Sequence, residues 1–263
     1  MSRFRSLFPD ARPIIGMIAL PPMPGYPTHP GIDALIEAAL ADLAALEAGG
    51  VSGVLVENDF DQPHTMRGGP EIHAAMTRVT REVVAAAKVP VGVEVLLDDW
   101  RASLAIAAAT GARFIRIDFF VDRVMTKLGP FEPDPGAVLE YRRRIGAEAV
   151  QVYADLQVKY TTPIGGPKPL AQSAREAEAA GADAVIISGS ETGIGPAVDD
   201  LRAARATALP VLIGSGLTPG NAPQLMMHAD GAIVGTALRS GRESTDRVVR
   251  TQVEALMRGV RSA

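Results

Sequence analysis

Residues 149–160 read AVQVYADLQVKY. Their β-branched and aromatic content predicts a strand with two unlike sides. Val150, Val152, Ala154, Leu156 and Val158 are wholly apolar, whereas Gln151, Tyr153, Asp155, Gln157 and Lys159 all carry a polar atom. In an open antiparallel sheet the polar side would face water. In a closed parallel barrel the outer side lies under helices and must be apolar, so the polar side faces the axis. The rest of the chain decides between these two readings.

Short β-branched runs alternate along the chain with longer Ala-rich segments of helical period. The predicted strands are 13–19, 53–57, 91–96, 113–118, 149–155, 184–188, 211–215 and 231–235. The predicted helices are 32–48, 71–87, 99–110, 135–146, 169–180, 196–208, 219–228 and 245–259. The segments EAGGVSGVLV, AATGARFIRI, EAAGADAVII and MHADGAIV repeat one pattern, a helix closing on small residues before strands two, four, six and eight. KVPVGVEV and ALPVLIG enter strands three and seven through a proline. An open doubly wound sheet shares such alternation, but eight consecutive strand–helix units favour a single-domain (β/α)8 TIM barrel over residues 1–263, with a short N-terminal extension at 1–12.

Closure turns the polar parities inward. Glu57, Glu94, Arg116, Asp118, Asp155, Gln157 and Lys159 then point to the axis or the rim where strands end. Burying so many ionisable groups costs several kcal/mol apiece unless they pair or meet a ligand. Pairing of Arg116 with Glu94 or Asp155 accounts for part of the cluster. The rise of polarity toward the C-terminal strand ends, where barrel sites lie, points to a functional site.

Three later loops are built from small residues. SGSETGIG (188–195), IGSGLTPGNA (213–222) and IVGTALRSG (233–241) offer Ser188, Gly189, Thr192, Gly214, Ser215, Gly216, Gly235 and Thr236 as amide or hydroxyl donors to a phosphate. Helix N-termini expected after the last two loops would add partial positive charge. The first loop, LPPMPGYPTHPG (20–31), is stiffened by proline and brings His29 within reach. The second, ENDFDQPHTMRGG (57–69), adds Asn58, Asp59, Asp61 and His64 as oxygen-rich candidates for a divalent ion. Glu57, Glu94, Asp118 and Asp155 are a further candidate set for Mg²⁺ or a similar metal, the one cofactor this chain suggests. His73 and His228, on predicted helices, are expected to take no part in chemistry. An inward Lys159 could act as an electrophile or, with its pKa lowered, form a Schiff base with a carbonyl.

Other features narrow the function. Net charge is −4 and there is no clustered basic surface, which argues against a nucleic-acid binder. With no cysteine there are no disulfides or thiolate sites. No run approaches the roughly 18 apolar residues of a membrane span, and the N-terminus has no signal-peptide core. A cytoplasmic location is therefore expected, with a small phosphorylated ligand as partner and a homo-oligomer as an open alternative.

The motifs IIGMIALPPMPGYP, GVLVENDFDQP, VGVEVLLDDWRASLAIAAATGARFIRID, VYADLQVKY, ADAVIISGSETG, VLIGSGLTPGN and ADGAIVGTALR resemble the BtpA/SgcQ family from Pro13 to Gly241. The resemblance implies a TIM-like barrel related to those that bind ribulose phosphate. One family member is associated with accumulation of photosystem I proteins, and others accompany sugar-utilisation genes. Carried-over positions are Glu57, Asn58, Asp155, Lys159, Ser188, Gly189, Gly214, Ser215, Gly216, Gly235 and Thr236. The chain departs from the family pattern at Glu94, where asparagine is usual, and at Asp118-Phe119, which replaces the usual Val-Asn pair region.

The expected function is an enzyme acting on a sugar phosphate or similar metabolite, as an isomerase, epimerase or carbon–carbon lyase, with Asp155 as general base and Lys159 as electrophilic helper. The alternatives are a metal-dependent hydrolase or lyase and a non-catalytic accessory or assembly factor.

Overall fold

The computed structural model describes residues 2–191 and 193–262. Eight parallel strands close into a barrel: β1 (Ile14–Ala19), β2 (Gly53–Glu57), β3 (Val91–Glu94), β4 (Phe114–Ile117), β5 (Gln151–Leu156), β6 (Ala184–Ile187), β7 (Val211–Ile213) and β8 (Gly231–Val234). They lie in chain order, and β8 pairs back onto β1 with Ile15 opposite Ile233. Between and after them run α1 (Ile32–Gly49), α2 (Pro70–Ala86), α3 (Trp100–Thr110), α4 (Pro135–Arg144), α5 (Leu170–Ala179), α6 (Val198–Ala204), α7 (Ala222–Leu225) and α8 (Arg250–Arg261). Local chemistry sets several helix ends. The Asp99 and Asp134 carboxylates cap the first turns of α3 and α4, while Gly50 and Gly111 close α1 and α3 at positive φ.

Alternation along each strand separates two apolar layers. Val54, Val56, Val93, Ile115, Val152 and Ala154 face outward into one continuous core under the helices. Ile15, Leu55, Phe114, Tyr153, Ala184, Ile186, Leu212 and Ile233 fill the lower barrel interior. In β5 the polar parity does face the axis, through Gln151, Tyr153 and Asp155. Tyr153 is an interior packing residue whose hydroxyl donates to Gln151 Oε1 at 2.8 Å.

Beyond Leu156 this parity no longer predicts direction. Gln157 adopts φ +50°, donates its backbone N–H to Asp122, and sends its side-chain amide to Lys168 O and Ser173 Oγ. Its expected inward placement is corrected: strand pairing has ended, and the turn carries the side chain to the helix side.

The first residues plug the barrel's N-terminal end. Helix Arg3–Leu7 inserts Phe4, and Phe8 follows it, both with almost no exposure. Their rings meet Tyr153 and Phe114 at centroid distances of 5.7 and 5.9 Å, and those two stack on each other at 4.8 Å. Arg3–Asp183 and Arg5–Asp230 ion pairs hold the plug against the barrel.

At the other end, a hairpin joins Val124–Thr126 to Gly129–Phe131, and Thr162–Pro163 pairs with its first strand. It rises from the loop after β4, where no strand was expected from the sequence. No helix among the described residues is long and apolar enough to cross a membrane.

Candidate functional site

At the C-terminal ends of the strands the interior changes from apolar to ionic. Glu57 and Glu94 lie opposite each other in the β2–β3 register. One step on, Arg116 projects from β4 and Asp155 from β5. All four are buried, as is Asp118 just past β4. Arg116 donates from Nε to Asp155 Oδ2 at 2.6 Å and from Nη2 to Asp155 Oδ1 at 3.2 Å. The same guanidinium lies 3.8 Å from Glu57 Oε2, 3.7 Å from Glu94 Oε2 and 4.0 Å from Asp118 Oδ1. One cation is therefore surrounded by four carboxyl groups, and only Asp155 receives true hydrogen bonds from it.

That imbalance sets protonation. Burial pushes Glu94 well above the ordinary carboxylate range, and Glu57 and Asp118 push it further against the pull of Arg116. Burial also raises Glu57, helped by Asp59 and opposed by Arg116. Asp118 is pushed up to about 7, first by burial, with Arg116 opposing and Asp155 and Glu57 reinforcing the rise. Behind it, burial holds Asp98 well above its usual value although Phe119 N–H donates to it. Glu57 Oε2, both oxygens of Glu94 and Asp98 Oδ2 are buried with no hydrogen-bond donor.

A cavity of about 780 Å³ opens above this floor. Glu57, Arg116, Asp118 and Lys159 line it together with Ser188, Gly214, Ser215, Gly216, Gly235 and Thr236. The hairpin tip, Thr126 to Leu128, forms part of the wall. The expected carboxylate floor and small-residue loops thus share one chamber. Lys159 lies past β5 and is near enough to Glu57 and Asp118 to lower both carboxyl groups electrostatically.

Several expected roles change. Asp155 is not among the residues lining the cavity; it holds Arg116 and accepts from Ser188 Oγ at 3.2 Å. Buried and tied to a guanidinium, Asp155, the expected general base, is placed to hold Arg116 rather than to border the cavity. Glu94 likewise sits beneath the cavity wall. His29 points to Pro22 O at 3.0 Å and stays outside the chamber. Asn58 braces two loops, accepting from Leu96 N–H and donating to Asp61. Asp61 also takes the N–H of Met23, so it serves the proline-rich first loop.

The four-carboxylate set does not fit a divalent ion. The Arg116 guanidinium stands where Glu57, Glu94, Asp118 and Asp155 meet, and no three acidic or histidine side chains among the described residues converge on a metal position.

The loops expected to bind an anion also differ from that expectation. Gly189 N–H donates to Ser215 Oγ and Gly214 N–H to Ile187 O, so neither amide is available to an anion. Gly214 is small for another reason: a Cβ there would fall 2.6 Å from Ser188 Oγ. Gly216 has φ +69°, and its Cβ would fall 2.0 Å from Gly195 N. Ser215, Gly216, Gly235 and Thr236 border the chamber directly. Thr192 lies outside the described residues.

Helix dipoles do not supply the expected charge. The loop after β7 leads to the four-residue α7, and β8 leads to a 3-10 turn at Thr236–Leu238. Positive charge comes instead from Arg239 and Arg242, which line the same wall. Arg239 stacks on Phe60 and donates to the carbonyls of Glu243 and Asp246. Arg242 is exposed, and its Nη2 approaches the position of a Gly193 Cβ to 3.4 Å. Neither arginine was singled out from the sequence: Arg239 closes the motif ADGAIVGTALR without a role assigned to it, and Arg242 lies just beyond. The available signal was the basic pair in ALRSGR (237–242) following a Gly-Thr strand end.

With this geometry in place, comparison with known proteins supplies the context. The BtpA family model matches residues 10–262. The photosystem I biogenesis protein BtpA of Synechocystis sp. is 36% identical over 263 residues, covering 97% of this chain and 91% of that protein. Among solved structures, the thiamine phosphate pyrophosphorylase from Pyrococcus furiosus superposes with a TM-score of 0.59 at 16% identity, covering 95% and 96% of the two chains. N-(5'-phosphoribosyl)anthranilate isomerase from the same organism gives 0.58 at 14% identity, covering 96% and 100%. These two likenesses show the TIM-barrel fold.

Proposed function

The chain belongs to the BtpA family, and from its chamber we propose that it is an enzyme acting on a small phosphorylated metabolite by proton transfer next to a carbonyl. The observation carrying this reading is one cavity that joins Asp118, titrating near neutrality, to the small-residue loops and Arg242. A group with a pKa near the working pH can both take and return a proton efficiently.

In this reading Ser215, Gly216, Gly235, Thr236 and Arg242 bind the phosphate. Asp118 removes a proton from the carbon beside the carbonyl. The C–H electron pair becomes the C=C bond of an enediolate, and the carbonyl pair moves to oxygen, where the Lys159 ammonium stabilises it. Return of the proton completes an isomerisation or epimerisation. Asp155 is a positioning residue: it fixes Arg116, whose charge keeps the surrounding carboxyl groups in a usable range.

The test is a thermal-shift screen of the full chain against sugar phosphates and inorganic phosphate, repeated with Arg242→Ala. A ligand at 100 times its Kd stabilises the fold by about 2.7 kcal/mol. A selective sugar-phosphate response that weakens in the variant supports the enzyme and selects the substrate for assay. A flat screen with a folded barrel refutes the phosphate reading. It would favour a second one, an accessory role, which rests on the likeness to the photosystem I biogenesis protein of Synechocystis.

A further inference from the structure

The chamber is electrically lopsided. One wall, from β6 to β8, is lined by small neutral residues with Arg239 and Arg242 at its edge. The opposite floor presents Glu57, Asp59 and Asp118 to the cavity, with Glu94, Asp98 and Asp155 packed behind. Arg116 and Lys159 are the cations near Glu57 and Asp118, and Arg239, stacked on Phe60, lies near Asp59. Two of the three Arg116 nitrogens are committed to Asp155, and the third lies too far from Glu57 and Glu94 to hydrogen-bond.

Glu57 links this surplus to the ligand space. It is only 4% exposed, lines the cavity, and its Oε2 meets no donor. A proton shared with Glu94 would satisfy one oxygen on each carboxyl and leave the others in need of donors. A substrate hydroxyl could fill a hydrogen bond here but would leave the charge of the Glu57–Glu94 pair without a hydrogen-bonded cation. An ammonium brings up to three N–H donors and the compensating charge together, and hydrogen bonds between charged partners are the stronger kind.

We propose that the ligand carries a protonated nitrogen at the end remote from its phosphate, held over Glu57 and Asp118. This rests on the phosphate reading above and narrows it to aminated phosphate esters, with amino-sugar phosphates as the class that fits. Glu57 is then the specificity-determining residue.

The experiment measures affinity of the full chain for two matched pairs: glucosamine 6-phosphate against glucose 6-phosphate, and 2-aminoethyl phosphate against 2-hydroxyethyl phosphate. The aminated member of a pair should bind about tenfold tighter or better, and Glu57→Gln should erase that preference while phosphate-dependent binding persists. Equal binding within both pairs, weakened alike by Arg242→Ala, would overturn the nitrogen site and leave the phosphate reading standing. Binding of no phosphate ester at all would defeat the phosphate reading instead. The ligand-free protein then decides the role of Glu57. If its charge is held ready for a cation, Glu57→Gln raises the thermal midpoint at about pH 8. An unchanged or lower midpoint means Arg116 already satisfies it, and the nitrogen site is overturned.

Discussion

Replacing Asp118 by Asn should make the folded protein more stable at alkaline pH while removing its activity. Asp118 is buried, and its nearest cation, Arg116 Nη2, is 4.0 Å away. Its carboxyl group titrates at about 7 in the fold against 3.8 in a free chain. Below the lower value both states are protonated and the group is neutral in the balance. As pH rises toward 7 the unfolded chain releases its proton before the folded one does, so the wild type loses stability across that window. At about 1.4 kcal/mol for each tenfold change in acidity, the full loss is up to about 4 kcal/mol. Asn carries no such penalty. Urea unfolding near pH 4.5 and about pH 8.5 should give a variant close to wild type at the acidic point and more stable by up to about 4 kcal/mol at the alkaline one. A variant that is less stable at the alkaline point, or a difference that does not change with pH, would refute the reasoning by showing that Arg116 already compensates the charge.

Asp155→Asn should act in the opposite direction: it leaves the buried Arg116 guanidinium without its ion-pair partner and should cost about 3–5 kcal/mol in urea unfolding. Phe4→Ala opens the floor of the barrel and should lower stability by about 3–5 kcal/mol, with ligand response in a thermal-shift assay intact, because the plug lies at the end remote from the chamber. Gly216→Ala places a methyl group against Gly195 N and should weaken phosphate-ester binding by about tenfold or more in calorimetry, through displacement of the loop after β6.

The inward polar face of residues 149–156 was legible because side-chain direction in a strand has period two, and helical cover on the outside leaves the axis as the one place for Asp155. The same logic located Glu57, Glu94, Arg116 and Asp118. It failed at Gln157 because parity has meaning only while the strand continues, and the backbone turns at that residue. Glycine and serine spacing marked the loops after β6, β7 and β8, but not which amides they keep free. Gly189 and Gly214 donate to Ser215 Oγ and Ile187 O, partners 26 and 27 residues away in the chain. The Phe4 and Phe8 plug was read as a short extension because its aromatic partners, Phe114 and Tyr153, are more than 100 residues distant.

Local and periodic features were legible in the chain alone: eight strand–helix units, the inward face of each strand, and the rise of charge at one end. These depend on backbone geometry and burial, which act over a few residues. Tertiary structure alone decided how that charge is shared. Arg116 is tied to Asp155 across β4 and β5, which removes Asp155 from the chamber and leaves Glu57 and Asp118 facing it. Arg242 reaches the chamber wall from beyond β8. Electrostatic energy depends on distances between atoms that folding brings together, and residue order does not contain those distances.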